Sequence, residues 1–256
     1  MRYYKSNAVY EAINTQKQQF ARLKFVVGDA WQLVYGDNNC IPLVLVYASG
    51  VQENILNEPL TSEEKEGFSL LNILGSRANL PVLFVRFNAT ASAIEEVKFS
   101  DASFNFRTVT MSELSQIFQG FGLPVSNTKT AKYLNDATSS AYHNWQRGSL
   151  GQALTVSDID LWKVDSEGNP LKFYELKRSF IALDRWAPYV DDYRNFKLLH
   201  AVAVRAKMEF KILYNLRTKN PWHDDATRLS VFSVNFALAP PITFLGIVPF
   251  NEIVNL

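Results

Sequence analysis

The chain has 256 residues, 47% of them hydrophobic and 20% charged, so it can bury one large core or two small ones and is not a disordered chain. Its net charge of +1 gives no global pull toward nucleic acid or anionic lipid, so any polyanion site has to be a local basic face. The halves differ slightly: residues 1–126 carry 10 Lys+Arg against 12 Asp+Glu (net −2), and residues 127–256 carry 16 against 13 (net +3). Residues 7–23 place Ala8, Val9, Ala12, Ile13, Phe20 and Leu23 at mixed three- and four-residue spacings, an amphipathic helix pattern. Lys24 to Val27, Ala30 to Tyr35 and Ile41 to Tyr47 read as strands, the last two joined by Gly36-Asp37-Asn38-Asn39. Thr61 with Glu64 predicts a capping box for a helix to about Ser76. Leu80 to Phe87 and Phe104 to Thr110 read as strands, and Met111 to Phe118 as a short helix begun at Ser112.

Gly120, Gly122, Pro124 and Ser126-Asn127-Thr128 form the best linker, which divides the chain into 1–124, for specificity, dimerisation or partner binding, and 125–256. The second part opens with a helix near 129–147 that stops at Gly148. Strands Thr155 to Val164 and Leu171 to Arg178 flank the turn Asp165-Ser166-Glu167-Gly168-Asn169. A long helix over 189–207, strands Phe210 to Leu216, Leu229 to Phe236 and Ile242 to Ile247, and a short helix from Pro249 complete the chain. Both halves therefore run helix, hairpin, helix, strands, short helix. Setting Ile41-Pro42-Leu43 over Asn169-Pro170-Leu171 brings Trp31 opposite Ile159 and Asp37 opposite Asp165. It also sets Val109-Thr110-Met111-Ser112-Glu113-Leu114 against Ile247-Val248-Pro249-Phe250-Asn251-Glu252. Either the first half is a degenerate copy, with Tyr47 and Ser49 near the places of Glu175 and Lys177, or two unrelated α/β units share turn and strand composition.

Lone Cys40, among Ile41, Leu43 and Leu45, reads as a small buried apolar side chain in a reducing compartment. No apolar run resembles a signal peptide or membrane span, so a cytoplasmic location is expected, with no membrane partner. His143, His200 and His223 are too far apart for a helical zinc pair. Phosphate-loop and dinucleotide glycine motifs are missing, so no nucleotide cofactor is expected.

The chemistry concentrates in Ser157-Asp158-Ile159-Asp160-Leu161-Trp162 and Tyr174-Glu175-Leu176-Lys177-Arg178. Side chains alternate across a strand, so Asp158 and Asp160 are expected on one face and Glu175 and Lys177 on one face of the neighbouring strand. Carboxylates gathered and desolvated in this way repel one another unless cations join them, and Mg²⁺ is commonly held by one or two carboxylates with phosphate oxygens and water.

An Asp, a hairpin and then Glu-x-Lys resembles the PD-(D/E)XK nuclease superfamily, whose restriction-endonuclease-like core runs helix, three strands, helix, strand. The resemblance covers about residues 129–216 in element order. It implies an α/β fold with a mixed sheet flanked by helices in residues 125–256, and a Mg²⁺-dependent endonuclease, with Mn²⁺ as a substitute, that hydrolyses DNA phosphodiesters. By the same resemblance Asp160 bridges metal, Glu175 is the second ligand, the Leu176 carbonyl is a further ligand, and Lys177 positions or activates the attacking water. Ser157-Asp158 departs from the Pro-Asp of the family, so Asp158 or Asp160 is the ligand according to register. Asp160 is favoured because Leu161-Trp162 follow it, and Asp158 remains a ligand for a second ion.

Many members also place an acid on the first helix, for which Asp136, His143 and Gln146 are the candidates here. In the long helix Asp192 and Tyr193 are accessory candidates. Arg178, Arg194 and Lys197 are candidates to grip DNA phosphates, although the same letters suit a helix whose aromatics enter the core. Arg217, Lys219, Trp222, His223 and Arg228 read as a polar surface loop that could contact DNA. Double-strand cleavage favours a homodimer, since one site cuts one strand. A structure-specific nuclease such as a junction resolvase, or a non-catalytic nucleic-acid or protein binding module, are the alternatives.

Overall fold

The structure is a computed structural model that describes residues 7–130, 140–220 and 222–256. The predicted Asp136 lies outside the described residues. In chain order the elements are α1 (Ala8–Thr15), β1 (Leu23–Lys24), β2 (Asp29–Asp37), β3 (Pro42–Val51), α2 (Ser62–Ala78), β4 (Val82–Asn88), β5 (Glu96–Ser100), β6 (Arg107–Thr110) and α3 (Met111–Gly120). There follow α4 (Ala141–Ser149), β7 (Leu154–Asp158), β8 (Leu161–Val164), β9 (Pro170–Ser179), α5 (Tyr193–Ala206), β10 (Glu209–Lys219), β11 (Trp222–Val234) and β12 (Ile242–Pro249). A 3₁₀ turn, Phe250–Asn255, stands where a terminal helix is expected from sequence. Among the described residues no helix is long and apolar enough to cross a membrane.

The chain is α/β, with two six-stranded mixed sheets ordered β6-β5-β4-β3-β2-β7 and β1-β8-β9-β10-β11-β12. Alternation along the strands sorts the apolar side chains into layers. Val34, Leu45, Tyr47 and Phe84 from the first sheet and Trp162, Phe173, Ile212 and Tyr214 from the second face the same core, which α2 and α5 fill with Phe68, Leu71, Leu74, Phe196, Leu199 and Val202. The opposite face of the first sheet, through Tyr35, Val46 and Val85, packs on α3 and α4. The opposite face of the second, through Leu161, Leu176 and Leu213, packs on α1 and the terminal 3₁₀ turn. Two helices thus lie between two sheets.

The halves repeat one topology. A single shift takes Pro42 to Pro170, Val51 to Ser179 and Ala78 to Ala206, the last being the ends of α2 and α5. Both helices stop on a non-glycine residue in the left-handed region, Asn79 at φ 53 and Lys207 at φ 54. The same shift maps the parallel pairs Tyr47↔Phe84 and Ser49↔Arg86 onto Glu175↔Ile212 and Lys177↔Tyr214.

Two elements change places between the halves. β1, which precedes the first hairpin, adds to the second sheet beside β8. β7, which precedes the second hairpin, adds to the first sheet beside β2. Their helices go with them, α1 onto the second sheet and α4 onto the first. The expected single strand from Thr155 to Val164 is therefore two strands in two sheets. The polarity of Asp158 and Asp160 hides the break, since both fit a period of two although the chain leaves one sheet between them.

Further differences are local. The sequence pattern over 104–110 resolves into β6 alone, and β5 was not expected because Glu96 and Lys98 dilute its apolar face. The helix α3 is capped by Thr110, in a capping box with Glu113, rather than begun at Ser112. The Thr61–Glu64 capping box of α2 is present as read from sequence.

Candidate active site

The β8–β9 ladder pairs Leu161 with Tyr174 and Trp162 with Phe173. Carried back one pair, this register sets Asp160 beside Glu175, on the face that looks toward α5. One residue earlier the chain has already left: the Ile159 amide donates to the Gln32 carbonyl of β2 at 2.9 Å. β9 consequently loses its neighbour at Leu176, and the sheet opens into a notch. Asp160 Oδ2 accepts from the Leu176 amide at 2.7 Å in place of the missing strand. In an extended strand a residue's N–H and C=O point to the same side, so the Leu176 carbonyl also faces the notch. Tyr10, from α1 of the other half, pins the turn by donating to the Asp160 carbonyl at 2.7 Å.

Asp160 and Glu175 are 8% and 5% exposed, a depth at which carboxylates are seldom found without compensation. Glu175 Oε1 lies 2.9 Å from the Lys177 amine, and Glu175 Oε2 is buried with no hydrogen-bond partner. The Lys177 amine also lies 3.4 Å from Asp192 Oδ2, at the N-terminus of α5, and 5.4 Å from the centre of the Phe196 ring. Asp158, the last residue of β7, stands in the other sheet opposite Leu33.

Its charge is nevertheless felt across the notch. Burial pushes the Asp160 carboxyl well up from its ordinary range, with Glu175 and Asp158 adding to the shift. Burial likewise raises Glu175 to about 7, where the pull of Lys177 is opposed by Asp158 and Asp192. Burial would lower the Lys177 amine, but Glu175 and Asp192 outweigh it and hold the amine charged, well above its ordinary range. One cation thus stands among four acids, and the imbalance falls on the two most buried. Lys177 is suited to pairing with negative charge rather than to giving up a proton.

Asp160, Glu175, Leu176, Lys177 and Asp192 are therefore brought together, with Asp158 at the rim. Several other candidates are not. Gln146 and His143 sit on α4, which packs on the far face of the first sheet, where Gln146 Oε1 accepts from Tyr35 at 2.6 Å and His143 packs edge-on to Trp31. The exchange of first helices removes them from the notch. Tyr193 packs against Phe196 and Phe236. Arg194 is a cross-half brace, donating to Asn38 Oδ1 at 2.5 Å and Thr155 Oγ1 at 3.0 Å. Arg178 is ion-paired to Asp224, and Lys197 is exposed on α5. Tyr10 is the site residue that sequence missed. Its amphipathic helix is legible, but nothing in that pattern says which sheet it joins.

Among the described residues no three Asp, Glu, His or Cys side chains gather to hold an ion. The fit for a cation is narrower: two buried carboxylates close enough to raise one another, one unpartnered oxygen on Glu175, and the Leu176 carbonyl on the same side as its amide. This is a donor set of the hard-oxygen kind that Mg²⁺ accepts when substrate oxygens and water complete the shell. No protein-family model, curated protein or solved structure matches this chain.

Proposed function

We propose that the chain is a Mg²⁺-dependent DNA phosphodiester hydrolase of the PD-(D/E)XK type, working at the notch between β8 and β9. The observation that carries this reading is the buried, unpartnered Glu175 Oε2 beside Asp160, on the strand that also presents Lys177. The order α4, β7, β8, β9, α5, β10 agrees with the helix, three strands, helix, strand of that superfamily, with the first strand exchanged between halves. On this reading residues 1–124 are a degenerate copy of the same fold.

Asp160, Glu175 and the Leu176 carbonyl would hold the ion. A bound Mg²⁺ supplies Lewis-acid polarisation of a phosphoryl oxygen and lowers the pKa of bound water. The chain's own part is electrostatic. Lys177 stays protonated and offers N–H donors where a phosphoryl group gains negative charge as water oxygen attacks phosphorus and gives a proton to solvent, while the P–O bond to the leaving oxygen breaks and that oxygen takes a proton from solvent. Asp192 and Phe196 fix the amine in place. The Leu176 amide and Tyr10 hold Asp160 and its backbone in place.

A second reading, a binding module without turnover, is favoured by the 2.9 Å Lys177–Glu175 ion pair, which occupies one ligand oxygen. Plasmid, linear, branched and single-stranded DNA incubated with Mg²⁺, Mn²⁺ or EDTA separates the two. Cleavage with metal that is lost in Asp160→Ala and Lys177→Ala supports the hydrolase, whereas cleavage surviving both rejects the site. Binding with no cleavage under any metal selects the module.

A further inference from the structure

The β10–β11 hairpin reaches past the sheet that carries it. β10 pairs with β9 only as far as Leu216↔Ser179, and β11 pairs with β12 only from Arg228↔Pro249. Beyond those limits Arg217–Lys219 and Trp222–Asp224 pair with each other alone. At the base a register shift sets Tyr214↔Ser230 next to Leu216↔Asp225, so that extra residues on β11 twist the ribbon out of the sheet. The arm rises from the same end of β9 that bears Glu175 and Lys177.

Its surface is aromatic and cationic. Trp222 is 70% exposed and Phe180, just past Lys177 at the end of β9, is 43% exposed, with ring centres 5.4 Å apart at 71°. The Arg217 guanidinium lies 5.6 Å from the Trp222 ring centre, and the Lys219 amine 4.6 Å from that of Phe180. Asp224 binds both Arg178 and Arg217, at 2.5 and 2.6 Å, which ties the ribbon to β9, while the exposed Lys219 amine lies against the Phe180 ring. Large rings so open contribute nothing to the three cores, yet they have two properties an unpaired base needs: a flat apolar face and nearby positive charge.

We propose that this arm is a stacking platform for unpaired bases of DNA, with Trp222 and Phe180 receiving a base and Arg217 and Lys219 meeting the flanking phosphates. This rests on the hydrolase reading and deepens it: the substrate is single-stranded or branched DNA, delivered by the arm to the end of β9. The cations set against the two rings favour a ligand that carries a phosphate beside a flat ring, and the exposed ring faces favour an unpaired base over a closed duplex, whose bases are already stacked.

Fluorescence anisotropy of labelled single-stranded, forked and fully duplex oligonucleotides, all in EDTA, tests the arm apart from cleavage. Trp222→Ala weakens single-strand and fork binding by roughly five- to a hundred-fold, Trp222→Phe restores most of it, and duplex binding changes by less than about twofold. Lys219→Gln, which keeps both rings, lowers the log–log salt slope of single-strand binding by about 0.7. Unchanged single-strand binding in Trp222→Ala, an equal loss on duplex, or no single-strand binding by the wild type overturns the platform. A chain that binds in this way but never cleaves with Mg²⁺ removes the hydrolase and leaves the platform. A chain whose Trp222→Ala variant cleaves every substrate normally removes the platform and leaves the hydrolase.

Discussion

The two halves share a ladder and differ in what they place on it. In the second, Asp160, Glu175, Lys177 and Asp192 line the notch. The shift that superposes the hairpins puts Gln32, Tyr47, Ser49 and Glu64 in those positions, with Arg86 where the second half has Tyr214. Every polar group of the first set has been turned inward. Gln32 donates to the Gly67 carbonyl and accepts from Trp162, Ser49 donates to Glu64 Oε1 at 2.7 Å, and Arg86 Nη2 donates to Glu64 Oε2 at 3.1 Å. Arg86 Nε also lies 3.0 Å from Glu64 Oε1, close enough for ion pairing but off line for a hydrogen bond. One carboxylate meets one guanidinium, and β2 stays paired with β3 along its length, so no notch opens. The same framework thus carries matched charge on a continuous ladder in one half and surplus acid beside an interrupted ladder in the other.

The largest effects are expected at the carboxylates of the second half. Asp160→Ala or Glu175→Ala is expected to lower metal-dependent cleavage by at least about a thousand-fold, since metal-bound charge stabilisation is worth several kcal/mol. Ser49→Ala, at the corresponding place of Lys177, is expected to leave cleavage unchanged. Equal losses in a plasmid-nicking assay would contradict the division of labour.

Stability should show the reverse order. Arg86→Met leaves Glu64 buried and unpaired, and we expect a loss of about 3–5 kcal/mol in urea unfolding. Little change would mean that the first half is not held by this pair.

Glu175 sharpens the contrast through pH. Its carboxyl sits at about 7 in the folded chain against an ordinary 4.5, so the folded state binds the proton more tightly than the unfolded state. The stabilisation is complete below about pH 4.5 and is lost as pH rises to about 7, on the order of 3 kcal/mol in all. Thermal melts without metal should fall across that window in the wild type and fall less steeply in Glu175→Gln, where the raised Asp160 carboxyl remains. Mg²⁺ should restore the wild type above pH 7, because it binds the folded state alone. A metal-free melt that stays flat across the window argues that Glu175 is already compensated.

The smallest effect concerns the exchange of elements. Tyr10→Phe removes the hydrogen bond to the Asp160 carbonyl and should cost about 1 kcal/mol. Its cleavage should fall although the residue lies in the other half of the sequence. Normal cleavage would show that Asp160 needs no such support.

Much of this was legible in the residues. Glu175 and Lys177 alternate with Leu176 in an apolar strand, and their shared face follows from the pleat alone. The repeat showed in Ile41-Pro42-Leu43 over Asn169-Pro170-Leu171, because the hairpin turns keep the same length. Partner choice was not legible. Periodicity states which side of a strand is apolar but not which sheet the strand joins, so Thr155 to Val164 read as one piece, and His143 and Gln146 read as neighbours of the notch. The basic and aromatic letters of α5 were similarly ambiguous, and Arg194 and Arg205 turn out to brace the first half, Arg205 by donating to the Pro42 carbonyl at 3.0 Å. Asp192 reads from the sequence as an accessory residue, and its contact with Lys177 depends on the tertiary approach of α5.

The most direct test is calorimetric titration of Mg²⁺ and Mn²⁺ into the DNA-free chain above pH 7, in the wild type, Asp160→Asn, Glu175→Gln and Ser49→Ala. Saturable binding is expected in the wild type and in Ser49→Ala, and none in either carboxylate variant. Binding that persists without Asp160 and Glu175, or none in the wild type, would contradict it.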